Sequence, residues 1–310
     1  KGALGAPTPG IMEWGYLALL LAPAAMCLWL ALAPGSILAD MSLSGRRVGV
    51  VGAGVEAYLA RWGLTGAREI AATSRATLYR VDGGRVLKVF TGEGLAHEGA
   101  HGTQALIHWA GRGAVRLIRH DAGAQLLEHL PGPQLDALPD DAATPVIVDV
   151  VRALHAAPGP APPGMPDLRA HLANLFSAPD FAQAKAVTEN LIATTRPEDL
   201  RVLHGDLHHE NIMRGADGVW RAIDPKGLVG DRHYDVANVF CNPTEALAQD
   251  PARAARLADA FAAGLGMDRA RVLRFAYVHA CASACWFREN GYGTERDVLT
   301  IAMLERIAGL

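Results

Sequence analysis

Residues 203–213 read LHGDLHHENIM, and Ile223-Asp224-Pro225 lie a short way downstream. An Asp, an Asn a few residues on and a second Asp beyond them supply two kinds of oxygen that phosphoryl transfer needs. Asp206 can accept the proton of an acceptor hydroxyl. Asn211 and Asp224 can hold a divalent cation, and hard oxygen donors in this number suit Mg²⁺ bound together with the phosphates of ATP.

For these groups to converge, the chain between them must double back. Ile212 and Met213 open an apolar strand, residues 215–218 end in Asp-Gly turn chemistry, and residues 219–223 make a return strand. The open ends of such a hairpin lie about 5 Å apart, so Asn211 entering and Asp224 leaving face one small volume. Pro225 predicts an extended Asp224, because a proline disfavours the helical region in the residue before it. His204 is expected to hold the loop rather than carry protons. The competing reading, a transition metal on His204, His208 and His209, lacks the further Cys or His ligands such a site would draw on.

A nucleotide-binding lysine is expected on an upstream strand. Residues 77–81, the Asp82-Gly83-Gly84 turn and residues 85–90, RVLKVF, form a hairpin that carries Lys88 in an apolar run. The loop before it, residues 71–76, AATSRA, has no glycine-rich signature, and Ser74 with nearby amides is the candidate to cover the phosphates. Glu128, His129 and Leu130 leave the next strand where a hinge would contact adenine, chiefly through backbone groups; an ordinary strand exit would read the same.

The stretches HGDLHHENIM, IDPKGLVG and GRGAVRLI (residues 111–118) resemble the aminoglycoside and hydroxyurea resistance kinases, most closely the streptomycin 6-phosphotransferases, from about Thr73 to the C-terminus. The resemblance implies an α+β, bilobal protein-kinase-like fold with a small antiparallel-sheet lobe and a mainly helical lobe. It implies ATP with Mg²⁺ as donor and a small-molecule hydroxyl as acceptor. Residue by residue, it makes Asp206 the base, Asn211 and Asp224 the metal ligands, Glu98 the acid that pairs with Lys88 (Glu93 being the competitor), and Asp235 a brace for the catalytic loop. Acceptor contacts are dispersed in such folds; Asp231 and Glu245 are candidates.

Other features compete with this reading or bound it. Residues 48–57, VGVVGAGVEA, with Glu69 further on, imitate a dinucleotide fingerprint, but antiparallel hairpins come next where alternating strands and helices would be required. Four cysteines imply no disulfide framework and fit a reducing, cytoplasmic setting; Cys281 and Cys285, at i and i+4, read as one buried helix face. Residues 41–130 carry 11 Lys and Arg against 7 acids, and residues 131–310 carry 17 against 23. That asymmetry suits a triphosphate above and a cationic acceptor below, and with no basic stripe nucleic acid is excluded. Residues 15–39 carry no charge and could span a bilayer, so membrane association through residues 11–39 is one reading; an appended segment over residues 1–40 is the preferred one. The expected organisation is therefore residues 1–40 apart, an ATP-binding lobe over 41–130, and a catalytic and acceptor lobe over 131–310. The rivals are the same chemistry on an amino alcohol or sugar, a non-catalytic binding protein that keeps the fold, and a dinucleotide-dependent oxidoreductase.

Overall fold

The computed structural model describes residues 54–95, 99–291 and 295–310. Helix α1 (Val55–Trp62) leads into strands β1 (Arg68–Ala72), β2 (Ala76–Val81) and β3 (Arg85–Phe90), a one-turn helix α2 (Gly92–Gly94) and α3 (Ala100–Trp109). Strands β4 (Leu117–His120) and β5 (Ala124–Glu128) complete an antiparallel five-stranded sheet in the order β1-β2-β3-β5-β4. The β2–β3 hairpin runs in unbroken register from Ala76 opposite Phe90 to Val81 opposite Arg85, and Gly83 and Gly84 supply the positive φ angles its turn requires.

Strand β3 is buried on both faces, which explains its continuous apolar sequence. Leu87 and Val89 pack on Tyr58 and Trp62 of α1, whereas Val86 and Phe90 join Leu78 and Ile70 on the other face. Side chains alternate along a strand, so Lys88 shares its face with Val86 and Phe90, away from α1. The stretch that imitates a dinucleotide fingerprint ends in α1, and the chain passes from α1 directly into this antiparallel sheet. The part of that motif before residue 54, and all of residues 1–40, lie outside the described residues.

After β5 the chain becomes helical: α4 (Asp140–His155), α5 (Leu168–His171), α6 (Ala173–Ser177), α7 (Ala182–Ala193), α8 (Glu245–Ala248), α9 (Pro251–Leu265), α10 (Arg269–Glu289) and α11 (Glu295–Ala308). Caps set several of these boundaries. Asp167, Asp250 and Asp268 each accept a hydrogen bond from a first-turn amide, and Pro251 occupies the first turn of α9. Ile147 and Val151 of α4, Phe261 of α9, and Phe275 and Cys281 of α10 are fully buried in the core these helices share. Cys285 lies beside Cys281 in the same buried face. Among the described residues no helix is long and apolar enough to cross a membrane.

Two small antiparallel ribbons interrupt the helices. Strands β6 (Leu200–Leu203) and β9 (Leu228–Asp231) pair, as do β7 (Ile212–Arg214) and β8 (Trp220–Ala222). The β7–β8 pair is the hairpin expected from the turn chemistry at residues 215–218. Between β9 and α8, residues Arg232–Cys241 form a 3₁₀ helix.

Candidate active site

The two ribbons and the 3₁₀ helix gather the polar groups. Strand β6 delivers residues 204–206 and the β7–β8 hairpin delivers Asn211 and Asp224 at its open end, where the Ile223 amide donates to the Asn211 carbonyl at 2.8 Å. The Asn211 amide group donates to the Asp206 carbonyl at 2.8 Å. Its nitrogen is thereby used, which leaves its side-chain oxygen for a ligand.

Asp206 is held from several sides. One carboxylate oxygen accepts from the Asn238 amide at 2.9 Å, and the other lies 3.6 Å from the Lys226 ammonium. Asn242 in turn donates to the Asn238 side-chain oxygen at 2.9 Å, which fixes the orientation of the Asn238 amide. Burial pushes the Asp206 carboxyl towards neutrality, but the Lys226 charge beside it outweighs this and holds the group below the ordinary carboxylate range. It is therefore ionised at neutral pH.

His204 is fully buried and stacks on Trp109 with ring centroids 6.3 Å apart. Its Nε2 faces the Ile223 carbonyl at 2.8 Å and its Nδ1 accepts from the Asp206 amide at 3.3 Å. Burial lowers its pKa, and a neutral ring with a proton on Nε2 satisfies both contacts at once. The imidazole thus ties the start of the catalytic loop to the end of the hairpin. Asp235 holds the same loop from below: it accepts from the Gly205 amide at 3.0 Å and meets His155 Nε2 at 3.0 Å. In a 3₁₀ helix residues three apart eclipse, so Asp235 and Asn238 both face the catalytic loop.

Asp224 departs from expectation. Its φ is +57°, in the left-handed region rather than the extended one that Pro225 favours. Tertiary packing overrides the local preference: a Cβ on Gly102 of α3 would stand 2.4 Å from the Pro225 carbonyl oxygen, and one on Gly227 would stand 2.2 Å from that of His101. The loop is pressed against α3 through two glycines and must turn at Asp224. Holding a non-glycine residue there costs about 1–3 kcal/mol, a strain found chiefly where function fixes the conformation. The turn brings Asp224 into an ion pair with Lys88, both side chains largely buried at 14% and 6% exposure. Burial alone would raise the Asp224 pKa, but Lys88 and then Lys226 more than offset it, so this carboxyl too sits below its usual range.

Above this pair a narrow, largely apolar cleft opens between the sheet and the helical part. Leu78, Val86, Leu127 and Leu130 line it with Lys88, Glu128 and Asp224. The chain leaving β5 is pinned to the hairpin below, because the Gly132 amide donates to the Arg214 carbonyl at 2.9 Å and the Gln134 side chain donates to the Glu210 carbonyl at 2.8 Å. The Glu128 carboxylate accepts from the Arg116 amide at 2.8 Å and stands 3.4 Å from Arg221.

Several expected residues lie elsewhere. Ser74 is exposed at the tip of the β1–β2 loop, 3.3 Å from Glu93, and is not among the residues lining the cleft. Glu93 also meets Arg75 at 3.5 Å, which places it on the rim with Ser74. Glu98 lies outside the described residues. Asp231 is not available to an acceptor: it is buried against His233, Arg271 and Thr195, which join β9 to α7 and α10. Glu245 is exposed on α8, bonded to Gln249. The sequence reading overlooked Lys226 and Asn238. Lys226 stands two residues past Asp224, and Asn238 three past Asp235, a spacing that carries meaning only once the segment is known to be 3₁₀.

The two-part architecture and this convergence of carboxylates, amide and lysine define a phosphotransferase of protein-kinase-like fold. The sequence profile of the aminoglycoside/hydroxyurea antibiotic resistance kinases matches residues 61–291, and the chain belongs to that family. It is 35% identical over 204 residues to streptomycin 3″-kinase of Klebsiella pneumoniae, covering 61% of this chain and 76% of the relative. It is 30% identical over 277 residues to streptomycin 6-kinase of Streptomyces glaucescens, covering 82% and 88%. Among solved structures, a thermostable mutant of aminoglycoside phosphotransferase APH(4)-Ia in ternary complex with AMP-PNP and hygromycin B superposes with a TM-score of 0.56 at 15% identity, covering 82% of this chain and 97% of that one.

Proposed function

We propose that the protein transfers the γ-phosphoryl group of ATP, with Mg²⁺, to a hydroxyl of streptomycin or a closely related cationic aminoglycoside. The observation that carries this reading is the Asp206 carboxylate, ionised and oriented by Asn238, beside the Asn211 and Asp224 oxygens. Streptomycin enters through the two relatives named as streptomycin kinases.

The donor set fits the cation. The oxygens of Asn211 and Asp224 leave most of an octahedral shell to phosphates and water, as Mg²⁺ prefers, and no group of three or more His, Cys, Asp and Glu suited to a metal occurs among the described residues. When bound, the ion would neutralise charge on the β- and γ-phosphates. The apolar cleft under β2, β3 and β5 would take the adenine, and Lys88 would exchange part of its contact with Asp224 for phosphate oxygens. Asp206 accepts the acceptor proton as the oxygen–phosphorus bond forms and the bond to ADP breaks. Lys226, 3.6 Å from the Asp206 carboxylate, would stabilise the negative charge of the transferring group.

The direct test is incubation with ATP, Mg²⁺ and a panel of acceptors, with the product read by mass spectrometry and phosphorus NMR. Streptomycin is expected to gain one phosphate. The two relatives are named for different hydroxyls, and the NMR couplings assign the position. Phosphorylation of an amino alcohol or sugar with none of any aminoglycoside would overturn the reading.

Lys226→Met is expected to lower kcat by roughly 10²-fold, the low end of the range for loss of one preorganised contact to the transition state. It also carries a pH signature. Lys226 helps hold the Asp206 pKa down, so its removal shifts the acidic limb of the kcat/KM profile to higher pH. An unmoved limb would show that the lysine does not act on the base.

A further inference from the structure

Next to the 3₁₀ helix that braces the catalytic loop lies a ring cluster that the chemistry above does not use. His171 from α5, Tyr234 from the 3₁₀ helix, and His279 and Trp286 from α10 pack together, edge to face except for the tilted Tyr234–His279 pair. His171 and His279 each lie under 6 Å from both Tyr234 and Trp286, centroid to centroid. The Tyr234 hydroxyl is 3.1 Å from His171 Nε2 and 3.1 Å from His279 Nδ1. His279 and Trp286 are seven residues apart, two turns along one helix face, so the cluster grades from a buried imidazole to a half-buried indole. His208, two residues past the base, adds a buried Nδ1 with no hydrogen-bond partner among the described residues.

We propose that His171, Tyr234, His279 and Trp286 form the wall of the acceptor pocket, binding a hydroxyl of the acceptor through the two imidazoles and its cationic group on the indole face. The inference rests on the phosphotransferase reading and adds the residues that select the acceptor.

The hydrogen bonds explain the choice of chemistry. Tyr234 has one proton, which it can donate to only one imidazole while accepting from the other. The two rings are therefore locked in opposite senses: of the far nitrogens, His171 Nδ1 and His279 Nε2, one is a donor and the other an acceptor. A hydroxyl both donates and accepts, and meets that pair. Burial keeps both imidazoles neutral, at pKa values of about 4 for His171 and about 3 for His279, against the opposing pull of Asp206. Tyr234 shares its 3₁₀ helix with Asn238, whose amide holds the Asp206 carboxylate at 2.9 Å, which puts the cluster near the base. Neutral rings do not repel a cation, and an indole face attracts one.

Trp286→Ala and His171→Asn, on separate helices, test the proposal. Both are expected to raise the acceptor KM by about tenfold or more, the effect of removing one cation–π or hydrogen-bonded contact, with AMP-PNP affinity at the wild-type value. Trp286→Phe retains an aromatic face and should recover most of the loss. AMP-PNP titration serves as the check that each variant is folded. Unchanged acceptor KM in both folded variants overturns the cluster's role and leaves the phosphotransferase reading standing. If the wild-type protein phosphorylates another hydroxyl compound and the variants raise the KM for that compound, the cluster stands and streptomycin falls. If no acceptor in the panel is phosphorylated, both fall.

Discussion

Asp206→Asn lowers turnover by on the order of 10² to 10⁴ fold, the range that positioned proton transfer contributes, while the ATP Kd stays near the wild-type value. Asparagine keeps the shape of the side chain and can still meet Asn238, so the loop geometry set by His204 and Asp235 is retained. The variant loses a basic oxygen next to the acceptor hydroxyl. Because the carboxyl is held below the ordinary carboxylate range, wild-type kcat/KM should be flat through neutral pH and fall only on the acid side of that range. The variant should show no such limb. Single-turnover kinetics with pre-bound ATP separate this loss from any change in binding, and a variant that turns over at the wild-type rate removes Asp206 from the role of base.

How much of this site the sequence disclosed depended on the range over which each feature is encoded. The β7–β8 hairpin is specified locally by Asp217-Gly218 between two short apolar runs, and with it came the meeting of Asn211 and Asp224. The β2–β3 hairpin is equally local, and the period-2 alternation of β3 sets Lys88 on the face opposite α1. The backbone of Asp224 escaped the sequence reading because its angle is decided by α3, more than a hundred residues upstream, pressing on Pro225 through Gly102. Asp231 looked available for an acceptor because a buried carboxylate and an exposed one share the same letter; only the fold brings Arg271 and Thr195 to it. The ring cluster was illegible for the same reason. His171, Tyr234 and His279 sit on three elements whose approach is a property of the whole helical core, and each alone reads as an ordinary core residue.

The second large effect is expected at Asp224, and asparagine is the informative replacement there too. A residue at φ +57° is strained unless it tolerates the left-handed region, and Asn does so better than Ala. Asp224→Asn therefore removes the charge with little change in the turn. Activity should fall by on the order of 10³ fold, comparable to loss of a major electrostatic contact in the transition state. Calorimetry should show that Mg²⁺ no longer tightens ATP binding, because an anionic ligand to the cation has become a neutral one. Stability carries a second signature: loss of the largely buried ion pair with Lys88 lowers the melting temperature of the nucleotide-free protein. The folded-state pKa of Asp224 is depressed, so the pair's contribution is complete above the unfolded carboxylate value and disappears as pH falls through the folded one. The difference in melting temperature between wild type and variant should thus be constant near neutrality and close towards strong acid. Mg²⁺ that enhances ATP affinity equally in both proteins would exclude Asp224 as a ligand, while the pH-dependent stability difference would still report its pairing with Lys88.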